Sequence, residues 1–143
     1  MNFNLEEFEK EQDKVRESNE NHLKGFRIWL INKGLSERTS EKHVSNAEFY
    51  INEYLCYYEI LDITQGCYEI GNFLGDWFIR KAPSSYTGIK DNAAGLKKFY
   101  EFLVETGAVE MKDYDYLCAM IKLYMPTWLK AMRRYERMIF EDY

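Results

Sequence analysis

The sequence predicts an all-α protein, a compact helical bundle of about six helices. Three observations carry that prediction. Apolar residues recur at i, i+3, i+4 and i+7 through most of the 143 residues. Alternation of the strand kind is weak throughout. Only two prolines, Pro83 and Pro126, interrupt the pattern. Neither an internal repeat nor a low-complexity linker divides the chain. The length therefore reads as one domain over 1–143, with a bundle at 26–109 and a C-terminal helical extension at 110–143.

The first helix is expected from about Leu5 to Asn32. Phe8, Val15, His22 and Trp29 recur every seven residues, with Leu23, Phe26 and Leu30 alongside. Residues 9–21 hold Val15 as their only apolar side chain. A helix is held mainly by its buried face, so this part is expected to be exposed or to lie on something else. Gly34 stops the helix by taking the left-handed cap. Ser36 is the next N-cap, with Thr39 and Ser40 as rivals. Val44, Ala47, Ile51, Tyr54, Leu55 and Tyr58 then form an apolar side. Thr64 is expected to cap a third helix striped by Ile70, Phe73, Leu74 and Trp77. Within it, Gly71 and Gly75 mark close approach of a neighbour. Residues 81–85 form a turn with Pro83 as the breaker. The fourth helix carries Ile89, Ala93, Leu96, Tyr100 and Leu103 on one face and ends at Gly107. Asp113 is expected to cap a fifth, with Leu117, Met120, Ile121 and Tyr124 inward. Pro126 kinks or restarts the chain, and a last helix carries Trp128, Met132, Tyr135 and Ile139.

Composition narrows the function classes. Twelve tyrosines and nine phenylalanines supply the bulk for a core, and most fall on the apolar stripes rather than forming base-stacking platforms. The formal net charge of −5 opposes general phosphate attraction, so DNA binding would need a local basic face. Cys56, Cys67 and Cys118 are odd in number and widely spaced, which implies no disulfide framework. The N-terminus lacks a signal-peptide core and no apolar run approaches a membrane span, so the cytoplasm is the default. His22 and His43 have no closely paired Cys or His, and no metal site is expected. There is no phosphate-cradling glycine loop, no small-molecule cofactor motif and no catalytic constellation. No catalytic residue is assigned, and the chain is read as a non-enzyme.

Two segments resemble a known family. In 26–55, Gly34-Leu35-Ser36-Glu37-Arg38-Thr39 joins an aromatic helix end to a long helix with spaced aromatics and leucines. In 62–109, a Ser84-Ser85 turn precedes Leu96, Phe99, Tyr100, Phe102 and Leu103, closed by Gly107. Both are similar to the N-terminal, SAM-like core-binding domain of tyrosine recombinases of the phage-integrase type. The resemblance covers roughly 26–109 and implies a four-helix clip that closes over duplex DNA from the starts of its second and fourth helices. It places DNA contacts at Arg38, Thr39, Lys42, Ser45 and Asn46, and at Tyr86, Thr87, Lys90, Asp91, Lys97 and Lys98. Where the family has a tyrosine followed by basic residues, this sequence has His43, Val44 and Ser45. Where a basic pair is common, it has Asp91 and Asn92. The expected consequence is weaker, altered or absent DNA contact.

In the family a catalytic domain follows, with arginines, a lysine, a histidine and a nucleophilic tyrosine. Here residues 108–143 follow Gly107 and contain no histidine, and Tyr143 has no arginine clamp placed by any motif. Strand exchange by this chain alone is not expected. Residues 110–143 offer a second basic face instead. Lys130, Arg133, Arg134 and Arg137 sit at i, i+3, i+4 and i+7, opposite Trp128, Met132, Tyr135 and Ile139. That stripe reads either as a face for phosphates or an acidic partner, or as the solvated side of an amphipathic helix. Two functions follow: a non-catalytic module that holds double-stranded DNA weakly or accompanies a recombinase, or a protein-interaction module that kept the fold and lost DNA. The second would pair with itself or with a full-length recombinase.

Overall fold

Helix α1 (Leu5–Asn32) starts where Asn4 accepts the Glu7 amide. It stops at Gly34, whose φ of 90° lies in the left-handed region. There the Leu35 amide returns to the Leu30 carbonyl and the Gly34 amide to Ile31, closing the chain as the sequence predicts. These features come from a computed structural model that describes residues 3–82 and 84–141. Pro83 and Tyr143, which the sequence reading used as a breaker and a chain end, lie outside the described residues.

Ser36 caps α2 (Glu37–Glu48), its hydroxyl accepting from the Thr39 amide at 3.1 Å. The helix continues as a π-helical segment, Phe49–Tyr54, whose Leu55 amide reaches back five residues to Tyr50. The third rod joins α3 (Ile70–Asn72), a second π-helical segment (Phe73–Trp77) and α4 (Phe78–Lys81). These two wide-turned segments face each other. Phe73 lies 4.8 Å from Tyr50 and 4.9 Å from Tyr54, centroid to centroid, and Tyr54 lies 5.3 Å from Trp77. Ser85 caps α5 (Tyr86–Glu105), and Gly107, at φ 82°, ends it with a second left-handed cap. Helix α6 (Met111–Glu141) completes the bundle. Among the described residues there is no strand. Helix α5 is the central rod, with α1, α2 and α6 packed against it. Phe26, Leu30, Ile89, Leu96, Phe99, Tyr100 and Leu103 are fully buried there.

The polar half of α1 lies on something else, one of the two outcomes its composition allowed. It lies across the end of the second helix. Gln12 donates to the Cys56 carbonyl at 2.8 Å, Arg16 to the Asn52 carbonyl at 3.2 Å, and Asn19 to the Asn52 side chain at 2.9 Å. Gly75 does make room for a neighbour, whereas a methyl on Gly71 would meet only Met120 Cε at an ordinary 3.6 Å. A methyl on Gly75 would stand 2.9 Å from the Trp128 ring of α6.

Several expectations are corrected. Pro126 does not restart the chain, because α6 runs through it as one helix. The proline is exposed, so the Lys122 carbonyl that lost its amide partner sits on the side open to water, while Ile121, Trp128 and Met132 keep the buried stripe in register. The fifth and sixth predicted helices are therefore one. Asp113 does not cap it; it lies inside the first turn, buried, and accepts the Tyr68 hydroxyl. That hydrogen bond to a carboxylate pushes the Tyr68 phenol up to about 12. Thr64 makes no capping bond. Asp62 and Gln65 cap the short 3₁₀ turn Gln65–Tyr68 reciprocally, each side chain accepting the other's amide at 2.9 Å. Tyr58, Tyr124 and Ile139, expected on apolar stripes, are 66%, 40% and 41% exposed. Tyr58 lies past the end of the π-helical segment with the Tyr57 ring beside it, Tyr124 rests on Trp128 at the edge of the buried stripe, and Ile139 is in the last turns of α6.

Candidate nucleic-acid interface

The residues singled out on α2 and α5 meet because these helices cross closely. The crossing is at Gly95, where an added methyl would stand 3.1 Å from His43 Nδ1 and 3.6 Å from Asn46 Cβ. Helical spacing aligns Arg38, Lys42 and Ser45 on the outer side of α2, with Asn46 turned toward α5. Arg38, Thr39 and Lys42 are exposed and Asn46 is half-buried. Lys42 is not a free cation. Its ammonium holds Asp91 of α5 at 2.7 Å. Arg27 and Glu41 pair beside it. Asp91, where the resemblance leads one to expect a basic pair, thus makes an ion pair inside the face that the resemblance assigns to phosphates.

His43 sits in the same seam. Burial, and then the nearby Lys98 and Lys42 charges, hold its imidazole below the usual histidine range, against a smaller opposing pull from Asp91. A base whose folded pKa is depressed binds its proton more readily when unfolded. Its contribution to stability is present above about pH 6.5 and is lost as the pH falls below that value. Thermal unfolding of the protein is expected to shift to lower temperature between about pH 6.5 and pH 5, and His43→Gln to remove part of that shift. An unchanged slope in the variant would place the titration elsewhere.

On α5, spacing separates the cations into two rows. Lys98 follows Asp91 on the side toward α2, whereas Lys90 and Lys97 fall in line with Tyr86. Tyr86 is where the two basic faces of the sequence become one. The Arg133 guanidinium of α6 lies over its ring at 4.1 Å from the centroid, and the Lys90 ammonium lies over it at 5.0 Å. Lys130, Arg133, Arg134 and Arg137 line a common shallow cavity on α6. Among the described residues, no ion pair involves Lys90, Lys97, Lys130, Arg133 or Arg134.

Two carboxylates punctuate this surface. Asp91 is one. The other is Glu136, which accepts the Tyr86 amide at 3.2 Å and so occupies the first turn of α5. Ser85 takes the Gly88 amide. The chain's own groups thus take the Tyr86 and Gly88 amides at the start of α5. The sequence reading missed Glu136 because the contact joins residues fifty positions apart. It named Asn92 only as a departure from a basic pair, and not as the buried amide that it is. Among the described residues, no cluster of His, Cys, Asp or Glu has the makings of a metal centre, and no helix is long and apolar enough to cross a membrane.

No protein-family model, no curated protein and no solved structure matches this chain.

Proposed function

We propose that the chain is a non-catalytic module that holds double-stranded DNA, with a SAM-like clip of the kind found in the core-binding domain of tyrosine recombinases. The observation that carries this reading is the meeting of Lys90, Tyr86 and Arg133. It joins the start of α5 to the cationic row of α6 in one continuous surface. The cations of that surface, unlike Lys42, are not tied to carboxylates in the ion pairs described above. An acidic protein that binds phosphates needs such a local departure from its overall charge. The contacts would be to the backbone, which positions a duplex without reading its sequence. Such a module would accompany a recombinase rather than replace one.

A second reading is favoured by Asp91 and Glu136. Each places a carboxylate where a phosphate oxygen would otherwise be held. On this reading the surface meets a protein, either a second copy or a full-length recombinase. The test is fluorescence polarisation on a labelled duplex over a salt series. DNA binding is expected at about 50 mM salt and should weaken steeply toward about 200 mM, as counterion release requires. Absence of binding at the low-salt end removes the first reading. A mass in solution that stays monomeric, alone and with a recombinase, removes the second.

A further inference from the structure

The seam between α2 and α5 contains a cavity of about 320 Å³, lined in part by Lys42, Asn46, Phe49, Phe78, Asp91 and Asn92. This is near the lower end of the range, about 300–1,000 Å³, in which small-molecule sites fall. Asn92 is 5% exposed. Its Nδ2 donates to the Gly88 carbonyl at 2.8 Å. A carbonyl can only accept, so this bond fixes which way the amide points. Asn92 Oδ1 is left buried without a partner, and so is Asn46 Nδ2 on the facing helix. A buried polar atom without a partner is destabilising. One unpaired acceptor and one unpaired donor, on the two helices that border the cavity, describe the complement of a planar group that offers both.

We propose that this cavity receives one unstacked nucleobase from the DNA held on the surrounding cations. The inference rests on the DNA reading above. The base edge would donate to Asn92 Oδ1 and accept from Asn46 Nδ2, with its ring against Phe49 and Phe78. Asn46 Nδ2 lies just beneath the cavity wall, so the half-buried Asn46 amide turns toward the cavity on occupancy. Every base carries a donor beside an acceptor on its pairing edge, so the pocket selects an extruded base rather than a sequence. Lys42, whose side chain is 55% exposed, exchanges Asp91 for the phosphate of that nucleotide. Extrusion costs least where a base is already unpaired. The preferred ligand is therefore DNA with a bulged base.

Three labelled duplexes test this: one fully paired, one with a single unpaired adenine, and one with an abasic residue at the same bulge. The expected result is that the adenine bulge binds at least fivefold more tightly than the other two. Asn92→Leu should abolish that preference and leave affinity for the paired duplex unchanged. Ala82→Leu fills the same cavity from half-buried Ala82 without touching the Asn92–Gly88 bond, and should do the same if Asn92→Leu folds poorly. Equal affinity for all three duplexes overturns the pocket and leaves the duplex-binding reading standing. A bulge preference that survives both variants also overturns the pocket. Failure to bind any of the three DNAs removes both.

Discussion

Replacing Lys130, Arg133 and Arg134 together by alanine is expected to weaken duplex DNA binding about a hundredfold at about 50 mM salt. It should also reduce the slope of log affinity against log salt by roughly 2.7, since each phosphate contact contributes about 0.9. The effect is large because these three cations are exposed and appear in none of the ion pairs among the described residues, so each is available for a phosphate. The paired variant Arg38→Ala with Lys42→Ala should cost less than about tenfold, although the family resemblance puts first weight on it. Lys42 is already paired with Asp91, so less of its charge is available to a phosphate. Arg133 also covers Tyr86, so its truncation should lower stability by about 0.5–1 kcal/mol, too little to unfold the protein. Polarisation titrations at four salt concentrations give both numbers. A larger loss in the α2 pair than in the α6 triple would move the interface off α6.

The same contrast shows which parts of the molecule could be read from the chain. Gly34, Ser36 and Gly107 were legible because a cap is a local event, decided within five residues. The stripes of α1, α2 and α5 were legible because burial follows the helical period. Pro126 was not, because its effect depends on whether the Lys122 carbonyl faces water or core, and that is set by how α6 lies on its neighbours. Asp113 looks like a cap in sequence, but Tyr68, 45 residues away, claims its carboxylate. The interface divides along the same line. The cations of α2, α5 and α6 are visible as rows. Their merging at Tyr86, their dilution by Asp91 and Glu136, and the unpaired amides of Asn46 and Asn92 are all products of helix crossing.

A second large effect is expected at Gly66, where the substitution would ordinarily be favourable. Gly66 lies in a 3₁₀ turn and is not among the glycines with positive φ. Alanine at such a position usually stabilises by about 0.4–1 kcal/mol, because the unfolded chain loses freedom. Here the added methyl would fall 2.0 Å from the Tyr100 hydroxyl and 3.1 Å from Leu55 Cδ1. Tyr100 cannot swing aside. It is fully buried, and its hydroxyl donates to the Ile63 carbonyl at 2.8 Å. The Gly66 carbonyl is itself held by the buried Tyr50 hydroxyl at 2.6 Å. Burial raises both phenols well above their usual range, so both stay protonated and donating. Gly66→Ala should therefore destabilise the protein by about 3 kcal/mol, through overpacking and a broken buried hydrogen bond. Tyr100→Phe alone should cost about 1 kcal/mol, the net value of the lost hydrogen bond, because the Ile63 carbonyl still accepts the Gly66 amide at 3.1 Å. Together the two should cost at least about 1 kcal/mol less than their sum, because the nearest atom left on the ring then stands at 3.2 Å, a contact that small shifts can absorb. Urea denaturation of the four proteins measures the cycle. Strict additivity, or a Gly66→Ala protein as stable as the parent, would mean that the turn at 63–66 is not clamped between Tyr50 and Tyr100. The third rod would then lose its fixed entry into the bundle.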